Sequence, residues 1–264
     1  MSIKDKYMKL TRINADFKDF PEEIVRLSEG ARIFDSSSSP EARVYFIDKD
    51  KGYFLKTAKK GSLQKEATLG EYFNKRGLAP EILLYSSLDK DILLTKKARG
   101  LDATSEMYLS EPKKLAAKMG ELLRSLHELD YTDCPVQNRL TDYFLLAERN
   151  AENECYDLSF GEFKTKEEAF AAMMRGKEIL KCDTLTHGDF CLPNIIFDAW
   201  HFSSFIDLGC GGVSDRHVDL FWGAWTLKFN LKTDAYRDIF FSSYGKDIIE
   251  KEALIAVSAA EIFG

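Results

Sequence analysis

Apolar and polar residues alternate through residues 31–57 as ARIFD, then Ala42 to Ile47, then Tyr53 to Lys56, with SSSSP and DKDKG between them. Side chains of a strand point to its two faces in turn, so this pattern predicts a meander of three short strands joined by turns. From Leu63 the period lengthens. Leu63, Ala67, Leu69, Tyr72 and Phe73 suit one face of a helix that Gly77 and Pro80 would end. Two further strand candidates follow, at Glu81 to Tyr85 and Asp91 to Thr95.

After Arg99 and Gly100 the pattern becomes helical. Amphipathic tracts run over Pro112 to Leu129, Tyr143 to Asn150, Lys166 to Lys181, Val218 to Asn230, Thr233 to Tyr244 and Asp247 to Phe263. Between the third and fourth lies LTHGDFCLPNIIFDAWHFSSFIDLG, which reads as short strands and loops. A sheet-rich first part and a helix-rich second part predict an α+β protein of two lobes, and argue against a doubly wound sheet. The boundary is expected near residue 98, giving lobes 1–98 and 99–264 with a connector at 95–98. No repeat of solenoid period is present.

Composition narrows the function. The chain has 264 residues, 45% of them hydrophobic, and a formal net charge of -6. That suffices for a sizeable core, and an acidic chain with pI near 5.4 is a poor ligand for nucleic acid or an anionic membrane. A small cationic partner suits it better. The start, MSIKDKYMKLTRINADF, is polar, and no apolar run is long enough to span a bilayer, so a cytoplasmic protein is expected. Cys134, Cys155, Cys182, Cys191 and Cys210 form no C-x-x-C pair. They are expected to be reduced, buried structural thiols, with no zinc site.

The chemistry concentrates in His187-Gly188-Asp189, followed by Asn194 and then by Ile206-Asp207-Leu208-Gly209 across a short hairpin. Phosphoryl transfer needs positioning, metal ions on the phosphate oxygens and a group that orients the attacking hydroxyl. Asp189 is the candidate base. The Asn194 amide oxygen and the Asp207 carboxylate are hard donors suited to Mg²⁺. The order and the Asp-to-Asn spacing match the protein-kinase pattern. Either fragment alone would read as a polar turn or a strand cap; together and in order they point to a kinase.

A second locus lies in the meander. Small residues at Ser36 to Ser39 could lay backbone N–H groups against phosphates, although the loop has no glycine. Lys56 ends an apolar strand and could reach the α- and β-phosphates if a carboxylate held it; the next helix offers Glu66, with Glu71 as competitor. The plainer alternative for such a Lys and Glu is two solvated side chains.

THGDFCLPNIIF, FIDLGCGGVSDRHVDL, RSLHELD and CPVQN resemble the aminoglycoside 3'-phosphotransferases, kinases of kanamycin and neomycin, over nearly the full length. The resemblance implies a protein-kinase-like fold using ATP and Mg²⁺, with an N-terminal antiparallel sheet plus helix and a mostly helical C-terminal lobe. It implies Asp189 as base, with His187 fixing the catalytic loop, Asn194 and Asp207 as magnesium ligands, and a Lys56–Glu66 pair on the phosphates. Ser39 would meet the β-phosphate, Phe54 would stack on adenine, Lys96 and Ala98 would offer backbone groups to the adenine edge, and Ile206 would line the opposite wall. For Phe54 the competing role is an aromatic in a strand core.

The acceptor side departs from the family. The chain ends Ala259-Ala260-Glu261-Ile262-Phe263-Gly264, keeping Glu261 of an acidic pair, and Cys210 stands where relatives carry an arginine. Arg216 and Asp219 of the DR-x-x-D segment are present, and Asp157 and Glu162 could wall a polycationic drug. Asp157, Glu162, Arg216 and Glu261 are thus the expected acceptor-binding residues. The expected reaction is transfer to an aminoglycoside hydroxyl by a monomer or weak dimer. A metabolic kinase of choline, a sugar amine or another small alcohol is the alternative, for which Phe221, Trp222 and Trp225 could supply an aromatic box. A non-catalytic nucleotide-binding protein ranks below both.

Overall fold

The computed structural model describes residues 10–264. Residues 1–9, the first part of the polar start, lie outside the described residues. Contacts divide the chain into two units, one running up to Leu101 and including Ile195–Gly209, the other formed by Asp102–Asn194 and Cys210–Gly264.

The first unit is a six-stranded antiparallel sheet of order β1-β2-β3-β4-β6-β5. Its strands are β1 (Thr11–Ile13), β2 (Arg32–Asp35), β3 (Ala42–Asp48), β4 (Tyr53–Lys59), β5 (Ile82–Ser87) and β6 (Lys90–Lys96). The alternation read from sequence sets the faces. Ile33, Ile47, Leu55, Ile92 and Leu94 pack with Phe17, Ile24 and Leu27 around α1 (Glu22–Ser28). On the other side Leu93 packs with Leu63 and Ala67 near the start of α2 (Gln64–Asn74). α2 begins where it does because of Asp91. This fully buried carboxylate accepts from the Gly61 and Leu63 N–H groups at 2.8 and 2.7 Å, tying the end of β4 to the helix start. β1 and α1 were not expected, since a three-residue strand and a seven-residue helix are too short to show a period.

In the second unit, a two-residue strand, β7 (Leu101–Asp102), lies at the boundary and is followed by α3 (Glu106–Leu109), α4 (Pro112–His127), α5 (Arg139–Glu152) and α6 (Lys166–Ile179). β8 (Thr184–Thr186) leads into the catalytic-loop motif, and after it come the hairpin β9 (Ile195–Asp198) and β10 (His201–Phe205), then β11 (Gly212–Ser214). The helices α7 (Arg216–Leu231), α8 (Arg237–Tyr244) and α9 (Lys251–Glu261) end the chain. Phe144, Met173, Val257 and Phe263 lie in the core shared by α5, α6 and α9. Every helix expected after residue 99 is present, with ends moved by a few residues.

The expectation put everything after residue 98 in the second lobe, whereas the β9–β10 hairpin groups with the first unit. The Phe205 N–H donates to the Leu78 carbonyl at 2.7 Å, and the Phe205 ring packs edge-on against Phe73 of α2. All five cysteines are free thiols, but only Cys134 and Cys191 are buried. The expected burial fails for Cys155 and Cys182, which sit on connecting loops, and for Cys210, which ends a three-residue 3-10 turn.

Candidate active site

In the first unit Lys56, Glu66 and Asp207 come together. The Lys56 Nζ lies 2.7 Å from Glu66 Oε2 and 2.9 Å from Asp207 Oδ1. β4 supplies the lysine, the first turn of α2 the glutamate, and the segment after β10 the aspartate. Glu66 is therefore the partner and the exposed Glu71 is not. Burial opposes the charge on Lys56, but the Asp207 and Glu66 carboxylates outweigh it and raise the ammonium above its ordinary range. Burial lifts Glu66, with Lys56 pulling the other way. Asp207 has φ 59°, in the left-handed region that a residue with a Cβ seldom enters. Such a conformation persists only where its surroundings hold it, and functional sites are where it collects.

Other nucleotide-side candidates fall nearby in sequence but differ in environment. Ser39 is exposed in the β2–β3 loop, where Ser37 does the structural work by accepting the Val44 N–H at 2.9 Å. Phe54 is half-buried and packs at 5.2 Å on Phe46, which in turn meets Phe34, a stripe on the sheet face opposite Leu55. Lys96 cannot offer its N–H, which already donates to the Glu81 carbonyl at 2.9 Å. The N–H of Ala98 donates to no backbone carbonyl among the described residues. Ile206 is half-buried beside Asp207.

In the second unit the loop after β8 arranges Asp189 and Asn194. The Asn194 Nδ2 donates to Asp189 Oδ2 at 2.8 Å and to the Asp189 carbonyl at 2.9 Å. Both partners only accept, so the amide nitrogen must face them and Oδ1 is turned away. The loop itself hangs on Asp219 of α7, which is fully buried. Asp219 accepts the His187 and Gly188 N–H groups, each at 2.7 Å, and contacts His127 Nε2 at 3.1 Å. His187 is fully buried, and its Nδ1 accepts the Asp189 N–H at 3.3 Å. Gly188 must be glycine. Its φ is +82°, and a Cβ there would lie 1.9 Å from the Cys210 carbonyl oxygen.

Of the four expected acceptor-binding residues, Glu261 has the most unusual setting. It is 7% exposed and accepts from the Tyr143 hydroxyl at 2.9 Å and from the Trp222 indole N–H at 3.0 Å. Burial pushes its carboxyl up to about 7 against those two hydrogen bonds, and the charge of Asp189 adds to the rise. Beside it Phe160, Trp222, Trp225 and Phe229 form a chain of ring contacts, with Trp225 and Phe229 stacked at 4.9 Å. Asp157 is exposed and caps a short turn, its carboxylate held below the ordinary range by Ser159. Glu162 is exposed and makes no ion pair with the described residues. The Arg216 guanidinium donates to Thr184 Oγ1 at 3.2 Å, and the residue lines a cleft with Lys181, Asp183 and Glu250 that does not include Asp189. As the first residue of α7, Arg216 follows the N-cap Asp215 and reaches Thr184 of β8.

The motif reading noticed Asp219 but gave it no role, and did not single out His127. The DR-x-x-D and RSLHELD segments contained both. Nothing in their spacing says that residues so distant in sequence meet.

A lysine locked by two carboxylates and an aspartate–asparagine loop braced by a buried aspartate are the parts of a phosphoryl-transfer enzyme of protein-kinase-like fold. The chain belongs to the phosphotransferase enzyme family, whose model matches residues 35–255. Within that family it is 46% identical over 261 residues to a probable aminoglycoside 3'-phosphotransferase of Lactococcus lactis, covering 97% of this chain and 99% of the relative. An aminoglycoside 3'-phosphotransferase of Niallia circulans is 27% identical over 250 residues, covering 91% and 95%. Among solved structures, an aminoglycoside 3'-phosphotransferase of type VIII superposes with TM-score 0.71 at 23% identity, covering 86% of this chain and 91% of that one. A Streptomyces rimosus aminoglycoside phosphotransferase bound to ADP and streptomycin gives TM-score 0.72 at 19% identity, covering 95% and 100%. At such identities these structures speak for the fold. No helix among the described residues is long and apolar enough to cross a membrane.

Proposed function

We propose that the chain transfers the γ-phosphoryl group of ATP to a hydroxyl of an aminoglycoside, with the 3'-hydroxyl as the position modified. The observation that carries this reading is the Asn194-anchored Asp189, with Glu261 close enough to feel its charge. It is joined by the names of relatives that match the chain end to end.

Asp189 accepts the proton of the attacking hydroxyl. One of its oxygens is held by Asn194, which fixes the carboxylate plane and leaves the other for the acceptor. Lys56, kept cationic by Glu66 and Asp207, carries a fixed positive charge for the phosphates. Asn194 Oδ1 and the Asp207 carboxylate fit Mg²⁺ in donor chemistry, and the bound ion would supply charge neutralisation at the phosphate oxygens. Glu261 takes one acceptor ammonium, and Asp157 and Glu162 face the rest of a polycation as mobile, solvated charges. Phe54 and the Ala98 N–H serve the adenine.

A second reading, a kinase of a small alcohol carrying a single positive charge, is favoured by one observation. The rings beside Glu261 form a largely aromatic surface with one buried carboxylate, a poorer match for several ammonium groups than an acidic wall. ADP release measured over kanamycin, neomycin, choline and sugar amines separates the two. Turnover of kanamycin that Asp189→Ala stops supports the first reading, and turnover of choline alone overturns it.

A further inference from the structure

We propose that His127 is a positioning residue for phosphoryl transfer, the middle member of a buried hydrogen-bond chain, Tyr244–His127–Asp219, that sets the catalytic loop. The inference rests on the reading of Asp189 as base.

The direction of both bonds follows from the carboxylate end. Asp219 is flanked by the His187 and Gly188 N–H groups and by His127 Nε2, and a carboxylate only accepts, so Nε2 must carry the imidazole proton. Burial lowers the tendency of His127 to take a second proton, although Asp219 works the other way. The neutral ring then has a bare Nδ1, which can only accept. Tyr244 OH lies 2.9 Å from it and must donate. Burial pushes the Tyr244 phenol up to about 12, so that proton is retained. The side chains of His127, Tyr244 and Asp219 are all nearly or fully buried, and they come from α4, α8 and α7.

A neutral imidazole that donates through Nε2 to a carboxylate and accepts a phenol proton at Nδ1 has one arrangement of protons. It therefore fixes the rotamer of Asp219, and Asp219 holds both backbone N–H groups that precede Asp189. Loss of the middle member leaves Asp219 with only the His187 and Gly188 N–H donors and an empty side, free to turn. The base then drifts without any change in the groups that contact either substrate.

The test uses the full chain with Mg²⁺-ATP and an aminoglycoside that the wild type phosphorylates. Melting is followed alongside kinetics. His127→Ala is expected to lower kcat about 100-fold while both KM values stay within about threefold, the signature of misplaced chemistry rather than lost binding. His127→Gln, whose amide can still donate to Asp219, is expected to recover about tenfold of that loss. Tyr244→Phe removes the donor to Nδ1 and is expected to lower kcat about fivefold with KM unchanged. The double variant His127→Ala/Tyr244→Phe should be no slower than His127→Ala alone, because the two act through one chain. If His127→Ala fails to fold, the Gln and Phe variants decide. A folded Tyr244→Phe protein with wild-type kcat overturns the proposal, as do losses confined to KM or additive losses in the double variant. Failure of the underlying reading looks different: there, Asp189→Asn itself would keep turning over.

Discussion

Replacing Glu261 with glutamine should make the protein more stable and less effective, and the two effects should separate with pH. The carboxyl is buried between Tyr143 and Trp222, and burial raises it from 4.5 to about 7. Between those values the folded chain holds a proton that the unfolded chain has released, so this group's contribution is present in acid and is lost as pH rises through about 7. The gap from 4.5 to about 7 corresponds to about 3 kcal/mol at 1.36 kcal/mol per pKa unit. Glutamine fills the same space, still accepts a hydrogen bond and never ionises. Its melting temperature should match the wild type near about pH 5 and exceed it near about pH 8, by on the order of 2–4 °C for each kcal/mol. Acceptor KM should rise about tenfold at the higher pH, the value of one charge-assisted contact. Melting scans of both proteins across that range provide the check. A difference that stays flat with pH would show that the wild-type carboxylate ionises as freely as an exposed one, and the reasoning would fail.

Three further outcomes follow from the geometry. Gly188→Ala should cost more than about 2 kcal/mol and abolish turnover, since the new methyl meets the Cys210 carbonyl in a strained backbone; a normal melting curve with normal activity would contradict this. Lys56→Met should weaken ATP about tenfold or more, leaving acceptor affinity unchanged by calorimetry, and should destabilise the fold by exposing Glu66 to burial without a cation. Asp91→Asn should lower stability to urea by about 1–3 kcal/mol, because an amide cannot accept the Gly61 and Leu63 N–H groups together through both of its ends.

What could be read from sequence was what repeats or clusters locally. The strands of the meander and α2 followed from side-chain period, and Lys56 with Glu66 followed from a strand lysine and a carboxylate in the first turn of the next helix. The aspartate and asparagine of the loop are close in sequence and meet as expected. Long-range choices were not legible. Arg216 was expected at the acceptor from the family resemblance of its segment, and only the structure shows its guanidinium 3.2 Å from Thr184 Oγ1. Asp91 read as one strand residue among others, and only the packed structure shows four donors converging on it. Cysteine burial was inferred from residue type, whereas the position of Cys155 and Cys182 on loops and of Cys210 at the end of a short turn decides it.

The first unit is assembled from two stretches of chain far apart in synthesis, since Ile195–Gly209 completes what the residues up to Leu101 begin. A ribosome that has just made Leu101 has produced Lys56 and Glu66 but not Asp207, and has produced Phe73 but not the Phe205 ring that covers it. The nascent N-terminal half must therefore wait, with an apolar helix face open, until most of the polypeptide has emerged. Aggregation during translation, more than weakness of the finished molecule, is then the hazard this architecture carries, and a gene cut after Leu101 should yield inclusion bodies rather than a nucleotide-binding fragment.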